Sequence, residues 1–159
     1  MIYRAFFSSH LSYGVESFGL CPKGLLDPIF KIQKRAVRIV AGKAPREHTA
    51  PLFTRLKILP YPIFVSFATC LFIYKLLTNR IPKIIPLRLA SGPTRGANSR
   101  LILLDHCHSN TGHYSTAVGG SVVWNNLPSH IRSWDGTLVT FKQTLSLHMF
   151  EKINALMNP

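Results

Sequence analysis

Between Ile58 and Tyr74 lie seventeen residues without a charge, "ILPYPIFVSFATCLFIY", and no other stretch limits the options of this chain so tightly. A segment this apolar has to leave water, either for a bilayer or for a protein core. Length separates the two. A helix from Pro62 to Leu77 reaches about 24 Å at 1.5 Å per residue, against about 30 Å of hydrocarbon in a bilayer, and Lys75 interrupts it. A helix apolar on nearly all sides is the mark of a core element. The stretch therefore predicts a buried helix over about Pro62 to Asn79. The competing reading is a small membrane protein anchored by residues 58–77.

A core helix needs a domain around it. The chain has 159 residues, 47% of them hydrophobic, which is enough for one ordinary domain with its own interior. The charge is what departs from the ordinary: 19 Lys and Arg against six Asp and Glu give +13. That balance favours an anionic partner, nucleic acid or acidic lipid. The excess is unevenly placed, with net charges of +5 over residues 1–50, +8 over 51–100 and zero over 101–159. Three regions follow: a basic helical part at 1–84, a basic Pro/Gly linker at 85–100, and a neutral helical part at 101–159.

Cys21, Cys70 and Cys107 are an odd, widely spaced set. They argue for a reducing compartment, nuclear or cytoplasmic, rather than for a disulfide framework. The opening "MIYRAFFSSHLSYG" has too short an apolar run for a secretory signal.

The basic residues become informative in "LLDPIFKIQKRAVRIVAG". It predicts a helix from about Asp27 to Gly42, with Pro28 in the first turn and the glycine as its stop. At 100° per residue, Leu26, Ile29, Phe30, Ile32, Ala36, Val37, Ile39 and Val40 share one half of the wheel. Lys31, Lys34, Arg35 and Arg38 fill an arc of about 100° opposite. Lys43, Arg46, Arg55 and Lys57 continue the charge past the turn. A basic run is ordinarily a solvated helix face. This one lacks interspersed acid, and such a surface would hold phosphates without reading bases.

The remaining segments predict a mainly α chain with a short extended or β segment near 85–105. Thr49 is placed to cap a short helix carrying Pro51 in its first turn. "RLILLDH" is a strand candidate and "HCHSNTGHYS" a polar loop. "STAVGGSVVWNNLPSHIR" reads as a short helix or turn packing Val122, Val123 and Trp124, and "SWDGT" as a turn. Leu138, Phe141, Leu145, Met149 and Ile153 recur at helical spacing behind Thr137 as cap.

Catalytic constellations are missing from the sequence. The six carboxylates stand singly, with no Asp-x-Asp or Glu-x-x-His pairing, and no phosphate-binding loop or nucleophile elbow is present. The chain alone is not expected to be an enzyme, and no cofactor is expected. "DHCHSNTGH" gathers Asp105, His106, Cys107, His108 and His113, but zinc sites draw on two separated ligand pairs and no second cluster exists. It reads as a surface loop.

Several phrases in order, "IYRAFFSSHLSYGVESFG", "IQKRAVRIVAG", "TAPLFTRLKILPYPIFVSFATCLFIYKLLTNRIP", "YSTAVGGSVVWNNLPSHIR" and "FKQTL", resemble the segment after the polymerase core in non-LTR (LINE-type, jockey-like) retrotransposon reverse transcriptases. The resemblance covers about Ile2 to Leu147. Its elements are Tyr13-Gly14, Gln33-Lys34-Arg35 with Arg38 and Gly42, Leu56 through Pro60, Lys75, and Gly120, Trp124, Asn125, Leu127 and Pro128. It implies an RNA-directed DNA polymerase whose palm and fingers, with the catalytic Asp-Asp motif, lie upstream. No catalytic residue is carried over. What the resemblance implies for this chain is the thumb and post-thumb role, helical and basic, along the template–primer backbone. A host-adopted nucleic-acid-binding module using the same face is the alternative. A fragment of this kind predicts that the apolar helix near 63–77 is partly exposed where a partner domain is absent.

Overall fold

The computed structural model describes residues 3–90 and 100–157, so the central part of the expected linker, 91–99, lies outside the described residues. The fold is mainly α. A π-helical segment, Tyr3–Ser8, runs into α1 (Ser9–Ser12) and is followed by α2 (Val15–Phe18), α3 (Lys23–Val40), α4 (Ala50–Arg55) and α5 (Tyr61–Leu77). After the linker come α6 (Asn110–His113), α7 (Gly119–Asn125), α8 (Ser129–Arg132) and α9 (Leu138–Met157). Among the described residues the expected extended segment is one antiparallel bridge, Leu89 with Ile102.

The apolar stretch forms α5 and sits at the centre. Val65, Phe67, Ala68, Cys70, Ile73, Tyr74 and Leu76 are all buried, while Ile63, Phe64, Leu71, Phe72 and Leu77 are half-buried, so most of the helix leaves water and part of it stays near the surface. Its neighbours explain why. On one side α7, α8 and α9 bring Trp124, Ile131, Phe141, Leu145 and Met149 against Phe67, Cys70, Ile73 and Tyr74. On the other, α2 and α3 bring Val15 and Leu26 against Tyr61, Val65 and Ala68. The neutral C-terminal region thus covers one face of the helix. No helix among the described residues is long and apolar enough to cross a membrane.

Specific contacts lock this packing. Tyr74 stacks on Phe141 with ring centroids 3.8 Å apart, and its hydroxyl donates to the Gly136 carbonyl at 2.8 Å. Gly120 lets α7 approach α5 closely, because a Cβ there would sit 3.3 Å from Ile73 Cδ1 and from Thr69 Cγ2. Trp124 Nε1 donates to the Arg100 carbonyl at 2.8 Å. Asn125 receives the Ile102 N–H at 2.9 Å and donates to the Ile102 carbonyl at 2.8 Å, so one amide stands in for a strand partner. Trp124, Leu127 and Ile131 are buried, whereas Val122, expected to pack, is exposed.

Three of the longer turns use one device. α3 ends with Gly42 at φ 64°, and the Lys43 N–H bonds the Arg38 carbonyl at 2.9 Å. α4 ends likewise at Lys57 (φ 52°, Ile58 N–H to Phe53 O 2.9 Å), and α5 at Asn79 (φ 54°, Arg80 N–H to Lys75 O 2.9 Å). Each is a Schellman closure that satisfies terminal carbonyls. At the N-termini the expected caps divide. Thr137 Oγ1 accepts from the Thr140 N–H at 3.3 Å, but Thr49 is buried and makes no side-chain cap bond.

Candidate nucleic-acid interface

α3 carries most of the predicted site, and its frame differs from expectation at the start. It begins at Lys23, a turn earlier, behind Pro22. Pro28 therefore lies inside the helix, where the missing N–H forfeits a bond to the Gly24 carbonyl. Burial of Leu26 against α5 holds the extra turn in place. The longer helix also puts Asp27 within the basic arc, so the cationic face has one acid near its beginning.

The buried face is narrower than half the wheel. Leu26, Gln33 and Val37 are buried and Ile29, Phe30 and Ala36 half-buried, but Ile32, Ile39 and Val40 are exposed. Gln33 is the surprise. It is 1% exposed, and its Nε2 donates to the Tyr3 hydroxyl and the Leu59 carbonyl, each at 2.9 Å, while its Oε1 accepts the Tyr61 N–H at 2.6 Å. One amide thus ties the N-terminal segment, α3 and the start of α5 together. It fixes the rotation of α3 and hence the direction of the basic arc. Burial of Tyr3 raises its phenol above the ordinary range, with the Gln33 hydrogen bond opposing, so Tyr3 stays neutral.

The eight predicted cations fall into two groups. Lys31, Arg35, Arg46, Arg55 and Lys57 are exposed, and their side chains form no hydrogen bond or ion pair with other described residues. The others are engaged. Lys34 is half-buried with its Nζ 4.2 Å from the Phe30 ring centroid, a cation–π contact. It borders an open depression of about 410 Å³ with Phe30, His48 and Ile63. Arg38 donates from Nε to the Glu47 carbonyl at 2.7 Å. Lys43 pairs with the Glu47 carboxylate at 2.8 Å.

Glu47 organises the turn between α3 and α4. The Lys43 hydrogen bond holds its carboxyl below the usual range, and Arg55 on α4 adds to that effect through space. Arg38, Lys43 and Arg55 therefore gather about one acid. Such a pair of exposed side chains contributes little stability. The Arg38 bond to the Glu47 carbonyl is what draws the 43–49 turn back against α3 and sets the α3 charges beside those of α4. Sequence spacing alone could not find this, because Glu47 reads as a lone acid in a loop.

Other candidates do not assemble. Among the described residues no three His, Cys, Asp or Glu side chains are placed to hold a metal ion. Asp105 pairs with Arg88, while His106 and His108 lie with rings 4.4 Å apart at the surface. Cys70 is fully buried, its thiol pushed up to about 12 by desolvation, so it is unreactive. The residues of the resemblance at Gly120, Trp124, Asn125 and Leu127 serve packing and the hold on Ile102. Comparison with protein-family models, with curated proteins and with solved structures finds no match to the chain.

Proposed function

We propose that the chain is the thumb and post-thumb portion of a reverse transcriptase of the non-LTR retrotransposon kind. In this reading the surface formed by α3, the 43–49 turn and α4 lies along the backbone of a template–primer duplex. The observation that supports it best is the surround of Glu47, where Arg38 holds the backbone carbonyl, Lys43 pairs with the carboxylate and Arg55 acts on that carboxylate through space. Lys31, Arg35, Arg46 and Lys57 stand exposed on the same elements and the turns that follow them. Positive charge so concentrated repels itself in the isolated chain and is relieved by phosphate.

The chain's part in the reaction is to hold the duplex, and chemistry belongs to the carboxylates of an upstream palm. Contacts to phosphate carry no base information, so binding is sequence-tolerant and salt-dependent. The test is the salt dependence of binding to a 20-bp RNA–DNA duplex. Each phosphate contact contributes about 0.9 to the slope of log K against log salt, somewhat less for single strands. Replacing Lys31, Arg35, Arg46 and Arg55 by Gln should flatten the slope by about 3 to 4. A slope that stays the same refutes the proposal. Translating the DNA upstream of the Met1 codon separates a polymerase segment from a stand-alone binding module, since only the former has a Phe/Tyr-x-Asp-Asp palm there.

A further inference from the structure

Beside its cations, α3 leaves an apolar seam uncovered. Leu25, Ile32 and Ile39 are 65, 58 and 71% exposed, although each is a large aliphatic side chain. They lie seven residues apart, and half-buried Ile29 and Ala36 fall between them, giving a spacing of 4, 3, 4 and 3. That is the seam of a helix that packs against another helix. It is about 21 Å long at 1.5 Å per residue. The N-terminal segment, α4 and α5 pack on other sides of α3, where Ile29 and Ala36 reach in part into the cores, and Leu25, Ile32 and Ile39 stay exposed among the described residues. Along one edge run Lys31 and Arg35, both exposed.

We propose that this seam is a docking site for an acidic amphipathic helix of another protein. The 4-3 spacing accepts a partner's apolar ridge, and the cationic edge selects Glu or Asp beside that ridge. A second copy of this chain fits poorly. An antiparallel two-fold pair would set Arg35 and Lys31 against their own counterparts. A bilayer fits poorly as well, since interfacial helices present a broad apolar face and this strip occupies an arc of about 80°. The apolar seam is separate from the proposed duplex surface, although Lys31 and Arg35 border both.

The probe is a fluorescein-labelled peptide of three heptads with Leu at the a and d positions and Glu at e and g, whose own charges discourage self-pairing. Two control peptides keep the length, one with Lys replacing Glu and one with Ser replacing Leu. Fluorescence anisotropy should show binding of the Leu/Glu peptide alone. The variant Ile32→Ser/Ile39→Ser, neutral and confined to exposed positions, should weaken it at least tenfold at an unchanged melting temperature. Lys31→Gln/Arg35→Gln should weaken it less and remove most of its salt dependence. Equal binding of the Leu/Glu and Ser/Glu peptides would show mere charge attraction and overturn the proposal. So would absence of peptide binding accompanied by seam-dependent dimerisation, or by seam-dependent sedimentation with phosphatidylserine vesicles.

Discussion

Replacing Gln33 by Leu should unlock the rotation of α3, and the cost follows from its three hydrogen bonds. A leucine of similar volume gives up the bonds to Tyr3, Leu59 and Tyr61. Each is worth about 1 kcal/mol net, or about 3 kcal/mol together. The Tyr61 N–H would be left buried without an acceptor, which adds about 1 to 3 kcal/mol. Burying a leucine in place of the amide returns about 1 to 2 kcal/mol. The balance is a loss of about 3 kcal/mol out of the roughly 5 to 15 kcal/mol that hold a domain together. Urea unfolding followed by tryptophan fluorescence, with Trp124 in the core, measures it directly. A thermal midpoint lower by roughly 10 °C should accompany the change. Tyr3→Phe removes only one of the three partners, so a double-mutant cycle with Gln33→Leu should show coupling of about 1 kcal/mol. Gln33 faces away from Lys31 and Arg35, so the salt slope of duplex binding should survive at permissive temperature. A Gln33→Leu protein within 1 kcal/mol of the parent would refute this account.

Lys57→Gly relieves a side chain held at φ 52°. It should raise stability by about 0.5 to 1 kcal/mol in urea titrations while lowering the salt slope by about 0.9. Gly120→Val places branched carbons where Ile73 and Thr69 already stand 3.3 Å from a Cβ, and should cost about 2 to 3 kcal/mol by the same titration. His148 has its pKa lowered, first by burial and then by Lys152 and His130, with Glu151 opposing. A depressed histidine favours the folded state fully above its unfolded pKa near 6.5, and that contribution is lost as pH falls through and below it. Stability measured from pH 7.5 to 5 should therefore decline on acidification, and His148→Gln should make the decline shallower.

The sequence made some of this structure legible because periodicity is a local property. The core character of α5, the apolar period of α9, the Gly42 stop and the cationic arc of α3 all follow from residues within one helix. Gln33 was not legible, because a polar residue inside an apolar half-wheel looks neutral until three partners from distant segments surround it. The exposure of Ile32 and Ile39 was hidden for the complementary reason: the wheel gives the apolar side but not where neighbouring helices end. Pro28 suggested a helix start, and the burial of Leu26 overrode it. Glu47 depended on a turn folding back, which spacing along the chain does not encode.

The Asn125 clasp on Ile102 has a kinetic consequence. A sheet ladder frays one rung at a time, but Ile102 is held at both its N–H and its carbonyl by one side chain on α7. Its protection against hydrogen exchange is therefore all or none, set by a single rotamer of Asn125 with the neighbouring Trp124 bond to Arg100. Release of that rotamer frees the Ile102 backbone groups alone, because the Ala90 N–H to Leu101 carbonyl bond at 2.8 Å, the Leu103 N–H to Arg88 carbonyl bond at 2.7 Å and the buried Ile102 side chain still hold the stretch. The Ile102 amide thus acts as a clock for the opening of this clasp, while the core around the Ile102 side chain stays packed.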